Sequence, residues 1–129
     1  MSNAPARELS APEPAAFTLR QAQDLVDRWM AAQGWAYWHP LAQLARLTEE
    51  LGEVARLVNH LYGEKPKKLD EPEQDLALEL GDLLYTMICL ANSQRVDLQK
   101  GLERAMEKYQ ARDAGRYAAG PAALAGGEP

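Results

Sequence analysis

Apolar side chains recur at helical spacing in four segments of the chain, which are separated by short polar or Gly/Pro-containing stretches. This period predicts helices over about residues 18–33, 40–62, 72–93 and 98–113. Alternating runs of β-branched and aromatic residues, and the Asn-Gly or Asp-Gly pairs of tight hairpins, are almost absent. The pattern therefore predicts an all-α fold.

Residues with known preferences for helix ends mark several of these boundaries. Thr18 and Asp97 are predicted N-caps, Pro40 suits the first position of a helix, and Gly34 suits the end of one. The fourth helix carries an apolar stripe that we expect to be buried, formed by Leu102, Ala105, Met106 and Tyr109.

The two ends of the chain differ in composition from its middle. Residues 1–16 are rich in proline and alanine, and residues 114–129 form a Gly/Ala/Pro tail, so both are predicted to be flexible. Residues 17–113 then form a single helical domain. A helical core of that size is modest, which makes self-association a reasonable source of further burial.

Charge and cysteine content narrow the class of protein. A net charge of −5 argues against nucleic acid or an anionic membrane as the main partner. The single cysteine, Cys89, lies in an apolar run and excludes a disulfide framework, as expected in a reducing cytosol. We expect neither an 18-residue apolar stretch nor a hydrophobic signal region, so a cytoplasmic location is predicted.

A five-residue acidic phrase occurs twice, once in each of the two long central helices. Residues 50–54 read E-L-G-E-V and residues 79–83 read E-L-G-D-L, with Glu49 directly before the first copy. Each copy places two carboxylates three residues apart, at the margin of the apolar face of its helix. If the two helices pack antiparallel, both margins line one cleft.

Carboxylates that converge in this way repel one another unless a cation lies between them. Hard divalent cations prefer such oxygen ligands, and the absence of a Glu-x-x-His motif disfavours a di-iron site. An all-carboxylate site for Mg²⁺, or Mn²⁺ in its place, is therefore predicted. Two other interpretations stay open at this point, a solvated acidic helix face and the duplication of a purely structural helix pair.

The strings L-A-R-L-T-E-E-L-G-E-V-A-R, V-N-H-L-Y-G-E-K-P-K-K and E-L-G-D-L-L-Y resemble the MazG-like nucleotide pyrophosphohydrolases of the all-α NTP pyrophosphatase superfamily. The resemblance covers about residues 20–115 and is closest to the short, single-domain branch. It implies a bundle of four to five helices that assembles as a homodimer or as a tetramer of two dimers. It also implies Mg²⁺-dependent cleavage of a nucleoside triphosphate, including non-standard or surplus nucleotides, to a monophosphate and pyrophosphate.

The resemblance assigns roles to the acidic residues one by one. The positions that match the family's metal ligands are Glu50, Glu53, Glu79 and Asp82. Glu49 matches the adjacent acid and is a candidate to activate the attacking water or to bind a second metal ion.

Further residues are candidates for binding the nucleotide. Lys108 and Arg112 lie one turn apart on the fourth helix and resemble a phosphate-facing element, although an exposed basic stripe is an equal alternative. Base stacking is expected on Trp38 or Tyr85, although most buried aromatic residues belong simply to the core. Weaker candidates are Asn59, Asn92 and Lys65.

Two functions compete with catalysis on this sequence. One is a non-catalytic regulator that binds nucleotide or metal on the same scaffold, and the other is a structural helical interaction module. The first predicts nucleotide-dependent stabilisation without turnover, and the second predicts no response to metal.

Overall fold

A computed structural model describes residues 17–116, which form four α-helices. These are α1 (Leu19–Gln33), α2 (Pro40–Tyr62), α3 (Leu76–Ser93) and α4 (Leu98–Asp113). Residues 17–116 contain no β-strand, which confirms the predicted all-α class. The predicted flexible segment 1–16 lies outside the described residues, as does residue 117 onward of the predicted tail, whose first residues, 114–116, form a turn.

Capping side chains set the ends of α1 and α4 where the sequence predicts them. The Thr18 hydroxyl accepts a hydrogen bond from the Gln21 amide, and the Gln21 side chain accepts one from the Thr18 amide, which together form a capping box. Gly34 ends α1 with a φ of 69°, in the left-handed region that glycine adopts without strain. Asp97 caps α4 by accepting from the Lys100 amide at 3.2 Å.

The start of α3 differs from the prediction. The helix begins at Leu76 rather than near Pro72, because the Asp75 carboxylate accepts a hydrogen bond from the Ala77 amide at 2.9 Å and acts as the N-cap. Pro72 lies instead in the loop that joins α2 to α3. Proline fits the first position of a helix, but its side chain cannot accept a hydrogen bond. The Asp75 carboxylate can, and it satisfies a backbone amide in the first turn.

The α3 helix is the centre of the fold, since it packs along α2 and also contacts α1. Residues 43 and 46 of α2 line one pocket with residues 85, 86 and 89 of α3, whereas Glu50 lies beside Glu79 and Asp82. Residue numbers therefore rise along α2 as they fall along α3, and the two helices are antiparallel. In the described part of the chain the buried apolar residues lie on this pair of helices, at Leu57, Ile88, Cys89 and Ala91.

The α4 helix packs differently from the prediction. It contacts α1, and the exposed fractions of Leu102, Met106 and Tyr109 are 52%, 46% and 44%. The stripe that was predicted to be buried is thus exposed in the single chain. Among residues 17–116, hydrogen bonds join α1 only to the first residues of α4 and to its N-cap, and the large apolar side chains further along α4 stay about half exposed.

By length and composition alone, α3 could cross a membrane, with a mean hydropathy of 1.2 over its 18 residues. This corrects the expectation that no stretch of the chain passes such a test. The central helix of a water-soluble bundle passes it as well, and α3 packs on two neighbouring helices and carries Glu79 and Asp82. The hydropathy of α3 is therefore weak evidence for a membrane span.

Candidate metal centre and adjoining pocket

Three carboxylates from two helices converge at the α2–α3 contact. One oxygen each from Glu50, Glu79 and Asp82 lies within 4.8 Å of the other two. Antiparallel packing brings this about, because each acid stands at the margin of the apolar face by which its helix packs on the other. The repeated acidic phrase thus has the spatial consequence that the sequence predicts.

Two polar side chains steady this cluster. The Arg46 guanidinium lies 3.2 Å from a Glu50 oxygen, one turn earlier on α2, and the Gln74 amide donates to Glu79 at 3.2 Å. Neither residue was predicted to be part of the site. The Arg46 contact was readable from the sequence as a pair four residues apart on a helix, whereas the Gln74 contact depends on the path of a loop.

The donor set suits a hard divalent cation. Glu50 and Glu79 are half-buried and Asp82 is exposed, so the three carboxylates open to solvent on one side. One guanidinium does not neutralise three carboxylates, and a divalent cation would offset the remaining repulsion. All the ligand atoms are oxygens, as Mg²⁺ and Mn²⁺ prefer.

The other two predicted acids lie outside this cluster. The Glu53 carboxylate is 3.5 Å from the Arg56 guanidinium on the outer part of α2, and Glu49 is exposed. At 100° per residue, both positions lie further round the helix than Glu50, away from the contact with α3. The structure thus brings together three of the four predicted metal ligands.

An aromatic pocket of about 730 Å³ lies next to the carboxylates. Its walls come from the end of α1, the connector to α2, and the facing surfaces of α2 and α3, and its aromatic lining consists of Trp29, Trp35, Trp38 and Tyr85. Arg46 and Thr86 also line it, each one helical turn from Glu50 and Asp82 respectively. The pocket lining therefore lies one helical turn from the acidic cluster on both α2 and α3.

The predicted stacking residues Trp38 and Tyr85 both line this pocket. Trp29, which sequence reasoning assigned only to the apolar stripe of α1, joins them and meets Trp35 edge-to-face with ring centroids 5.3 Å apart. Burial, together with a hydrogen bond to Cys89, raises the pKa of Tyr85 to about 12. The phenol is thus neutral at physiological pH and presents a flat surface with one polar end.

Cys89 forms part of the pocket wall as a core residue. Its side chain is buried, and burial raises the pKa of its thiol above the usual value. A thiol in this setting is a weak nucleophile, which agrees with the structural role expected for it.

The predicted phosphate-binding residues lie away from the pocket wall. Lys108 and Arg112 flank the ring of Tyr109 on α4, with the Lys108 amine 4.8 Å and the Arg112 guanidinium carbon 4.9 Å from its centroid. Asn59 is exposed near the end of α2, and Lys65 is exposed in the following loop. None of the four lines the pocket within the single chain.

Asn92 has a structural role that its sequence position did not reveal. Its side-chain amide donates to the Gln23 carbonyl, the Asp27 carboxylate and the Tyr37 hydroxyl, and its oxygen accepts from the Gln23 side chain. These bonds use its polar groups to hold α1 and the connector on α3. The predicted contact of Asn92 with the nucleotide therefore stays a prediction, and in this structure its side chain already has hydrogen-bond partners within the chain.

Comparison with known proteins agrees with the all-helical fold. Residues 39–117 match the MazG nucleotide pyrophosphohydrolase domain. Over 100 residues the chain is 47% identical to YpjD of Bacillus subtilis (strain 168), an uncharacterised protein, and the match covers 78% of this chain and 90% of YpjD.

Two crystal structures resemble the described fold. That of YpjD from Bacillus subtilis has a TM-score of 0.69 and 45% identity, and the match covers 78% of this chain and all of that one, 100%. A Bacillus-conserved MazG protein, a nucleotide pyrophosphohydrolase, has a TM-score of 0.64 and 43% identity over 74% of this chain and 93% of its own. On this evidence, the chain belongs to the MazG nucleotide pyrophosphohydrolase family.

Proposed function

We propose that this protein is a Mg²⁺-dependent pyrophosphohydrolase that cleaves nucleoside triphosphates between the α and β phosphates. The observation that carries the proposal is the convergence of Glu50, Glu79 and Asp82 beside a pocket lined with aromatic side chains. Carboxylates suit the cation that accompanies a triphosphate, and aromatic faces suit a base. The family, and the name of the Bacillus-conserved relative as a nucleotide pyrophosphohydrolase, point the same way.

In this proposal the clustered carboxylates hold the cation, and Glu53 joins them as a fourth ligand. A bound Mg²⁺ supplies positive charge that stabilises the phosphates as negative charge shifts onto the leaving group. The exposed Glu49 accepts a proton from the attacking water. Oxygen from that water bonds to the α phosphorus, the bond from this phosphorus to the bridging oxygen breaks, and the products are a nucleoside monophosphate and pyrophosphate.

The pocket receives the base in this arrangement. Trp38 and Tyr85 offer stacking faces, and one helical turn separates the pocket lining from the carboxylates. Lys108 and Arg112 are proposed to bind the outer phosphates. Asn59, near the end of α2, and Lys65, in the loop that follows, are proposed as further contacts to the nucleotide. The cell would use such an enzyme in the cytoplasm, to remove non-standard or surplus nucleotides.

A second chain is proposed to complete the site. Large apolar side chains remain more than half exposed on α2 and α4, among them Leu41, Leu44, Leu51 and Leu102. Apart from neighbouring residues of the same helix, nothing in the described part of the chain would lie within 4 Å of a β-carbon at Gly52 or Gly81, so a partner helix has room to approach both acidic turns. A homodimer, or a tetramer of two dimers, would cover these faces and could bring Lys108 and Arg112 of one chain to the carboxylates of another.

Incubation with Mg²⁺ and a panel of ribo- and deoxyribonucleoside triphosphates tests the activity. We expect pyrophosphate and monophosphate in equal amounts, no turnover in EDTA, and recovery on addition of Mg²⁺ or Mn²⁺. The matched variant Glu50→Gln keeps size and shape and should be inactive. Folded protein that releases no pyrophosphate from any nucleotide, yet is stabilised by one of them, would instead establish the alternative function of a nucleotide-binding regulator.

A further inference from the structure

Arg46 occupies the junction between the aromatic pocket and the carboxylates. Its guanidinium lies 3.2 Å from a Glu50 oxygen and 5.8 Å from the centre of the Trp38 ring, and its side chain lines the pocket. With 43% of its side chain exposed, Arg46 faces the open side of the site. A nucleotide with its base in the pocket and its phosphates at the carboxylates would pass across this residue.

Arg56 on the same helix also pairs with an acid of the repeated phrase, but it lies away from the aromatic pocket. It pairs with Glu53 at 3.5 Å and has the same side-chain exposure, 43%. It does not line the pocket and is not stacked on a ring in the described part of the chain. Both arginines balance an acid of the repeated phrase, but only Arg46 also contacts the surface proposed to take the base.

We infer that Arg46 is a substrate-binding residue that links cation binding to nucleotide binding. Without a cation, its guanidinium stabilises Glu50. With a divalent cation at the carboxylates, Glu50 would be a ligand of the cation and its ion pair with Arg46 would be broken. The Arg46 guanidinium would then donate hydrogen bonds to the nucleotide phosphate nearest the base. This inference rests on the proposed function, because it requires a nucleotide to span both surfaces.

The chemistry of the two partners supports this exchange. Arginine presents paired N–H donors that match a phosphate as well as a carboxylate, and it stacks on aromatic rings. The contact with Trp38 can therefore hold the guanidinium in place when its anionic partner changes. Because this ion pair is partly exposed, little free energy opposes its release.

Calorimetric titration with Mg²⁺ alone tests the first half of the inference. Arg46→Gln removes the competitor for Glu50, so we expect it to bind Mg²⁺ more tightly than the wild type, by up to about fivefold. Unchanged or weaker Mg²⁺ binding in this variant would overturn the exchange. This measurement needs neither nucleotide nor turnover.

Titration with α,β-imido deoxynucleoside triphosphates, which resist cleavage at the proposed bond, tests the second half at saturating Mg²⁺. The four common bases are compared, and the tightest binder is used. Arg46→Gln should weaken its binding about tenfold or more, Arg46→Lys should recover part of the loss, and Arg56→Gln should change it less than about twofold. Equal losses of nucleotide affinity in Arg46→Gln and Arg56→Gln would show that the positive charge matters but the position of Arg46 does not, and would refute the inference.

The outcomes separate this inference from the proposed function. Wild-type protein that binds and hydrolyses nucleotide, with normal nucleotide binding in Arg46→Gln, contradicts the role of Arg46 alone. Wild-type protein that binds Mg²⁺ but none of the four analogues contradicts both the role of Arg46 and the proposed substrate.

Discussion

Replacement of Asp82 by asparagine should stabilise the metal-free protein and at the same time remove its stabilisation by Mg²⁺. Asp82 is exposed, and one of its carboxylate oxygens lies within 4.8 Å of oxygens from Glu50 and Glu79. Asparagine keeps the shape of the side chain and removes the charge. The backbone carbonyl of residue 82, which accepts a hydrogen bond from the Thr86 hydroxyl at 2.9 Å, is unaffected.

The size of the effect follows from Coulomb's law. Two unit charges 4.8 Å apart repel by about 0.9 kcal/mol at the dielectric constant of water. Asp82→Asn removes two such repulsions, or about 1.7 kcal/mol, and screening by physiological salt reduces this to about 1 kcal/mol. In a domain of this size, that free energy corresponds to a rise of about 4–8 °C in Tm.

Mg²⁺ should reverse the order of stability. Binding to the wild type at ten times the dissociation constant adds about 1.4 kcal/mol to the free energy of unfolding. The variant has lost a ligand and should gain little at the same concentration. The protein with the higher Tm in EDTA would then be the one with the lower Tm at high Mg²⁺.

Thermal unfolding in EDTA and over a series of Mg²⁺ concentrations measures both effects. Glu64→Gln, which removes one exposed negative charge from the α2–α3 loop, controls for the change in net charge and should retain the response to Mg²⁺. The reasoning fails if Asp82→Asn is destabilised in EDTA, or if Mg²⁺ stabilises it as much as the wild type.

Three further predictions concern other parts of the chain. Gln23→Leu should lower the free energy of unfolding by about 3 kcal/mol in urea titrations, because the buried Gln23 makes hydrogen bonds of 2.8–2.9 Å to Asn92, Val96 and Leu98. Burial raises the pKa of Tyr85 from 10.0 to about 12 in the folded protein, so the neutral phenol contributes its full stabilisation below about pH 10. This stabilisation is lost as the pH rises through 12. Tyr85→Phe, which does not ionise, should therefore lose less free energy of unfolding at alkaline pH than the wild type. Leu102→Glu should shift the protein towards the monomer in light scattering, whereas the exposed Lys100→Glu should not.

Local sequence signals predicted the helices because each signal acts within a few residues. Thr18 and Asp97 cap their helices as expected, since a capping bond needs only the next turn. The start of α3 was misplaced because Pro72 and Asp75 both suit a helix start, and in the structure the Asp75 carboxylate is the cap.

The candidate site could be predicted only in part for a similar reason. The convergence of Glu50, Glu79 and Asp82 follows from two amphipathic helices that share one contact. The pairing of Glu53 with Arg56 depends on side-chain rotamers that a sequence does not specify. Asn92 looked available for a ligand because the Gln23, Asp27 and Tyr37 groups that occupy it lie 55 or more residues away along the chain.

The exposed stripe of α4 would connect the proposed self-association of this protein with its proposed activity. Lys108 and Arg112 both rest against Tyr109, whose ring continues the apolar stripe that starts at Leu102. A partner that buries this stripe must therefore also receive the two cations at the edge of the contact. Since Glu50, Glu79 and Asp82 carry excess negative charge, a partner surface that presents them would attract the two cations.

A substitution that prevents self-association, such as Leu102→Glu, should then raise KM for the nucleotide even though the residue lies outside the pocket. If Leu102→Glu were monomeric with an unchanged KM, each chain would hold a complete site, and Lys108 and Arg112 would have no part in binding phosphate.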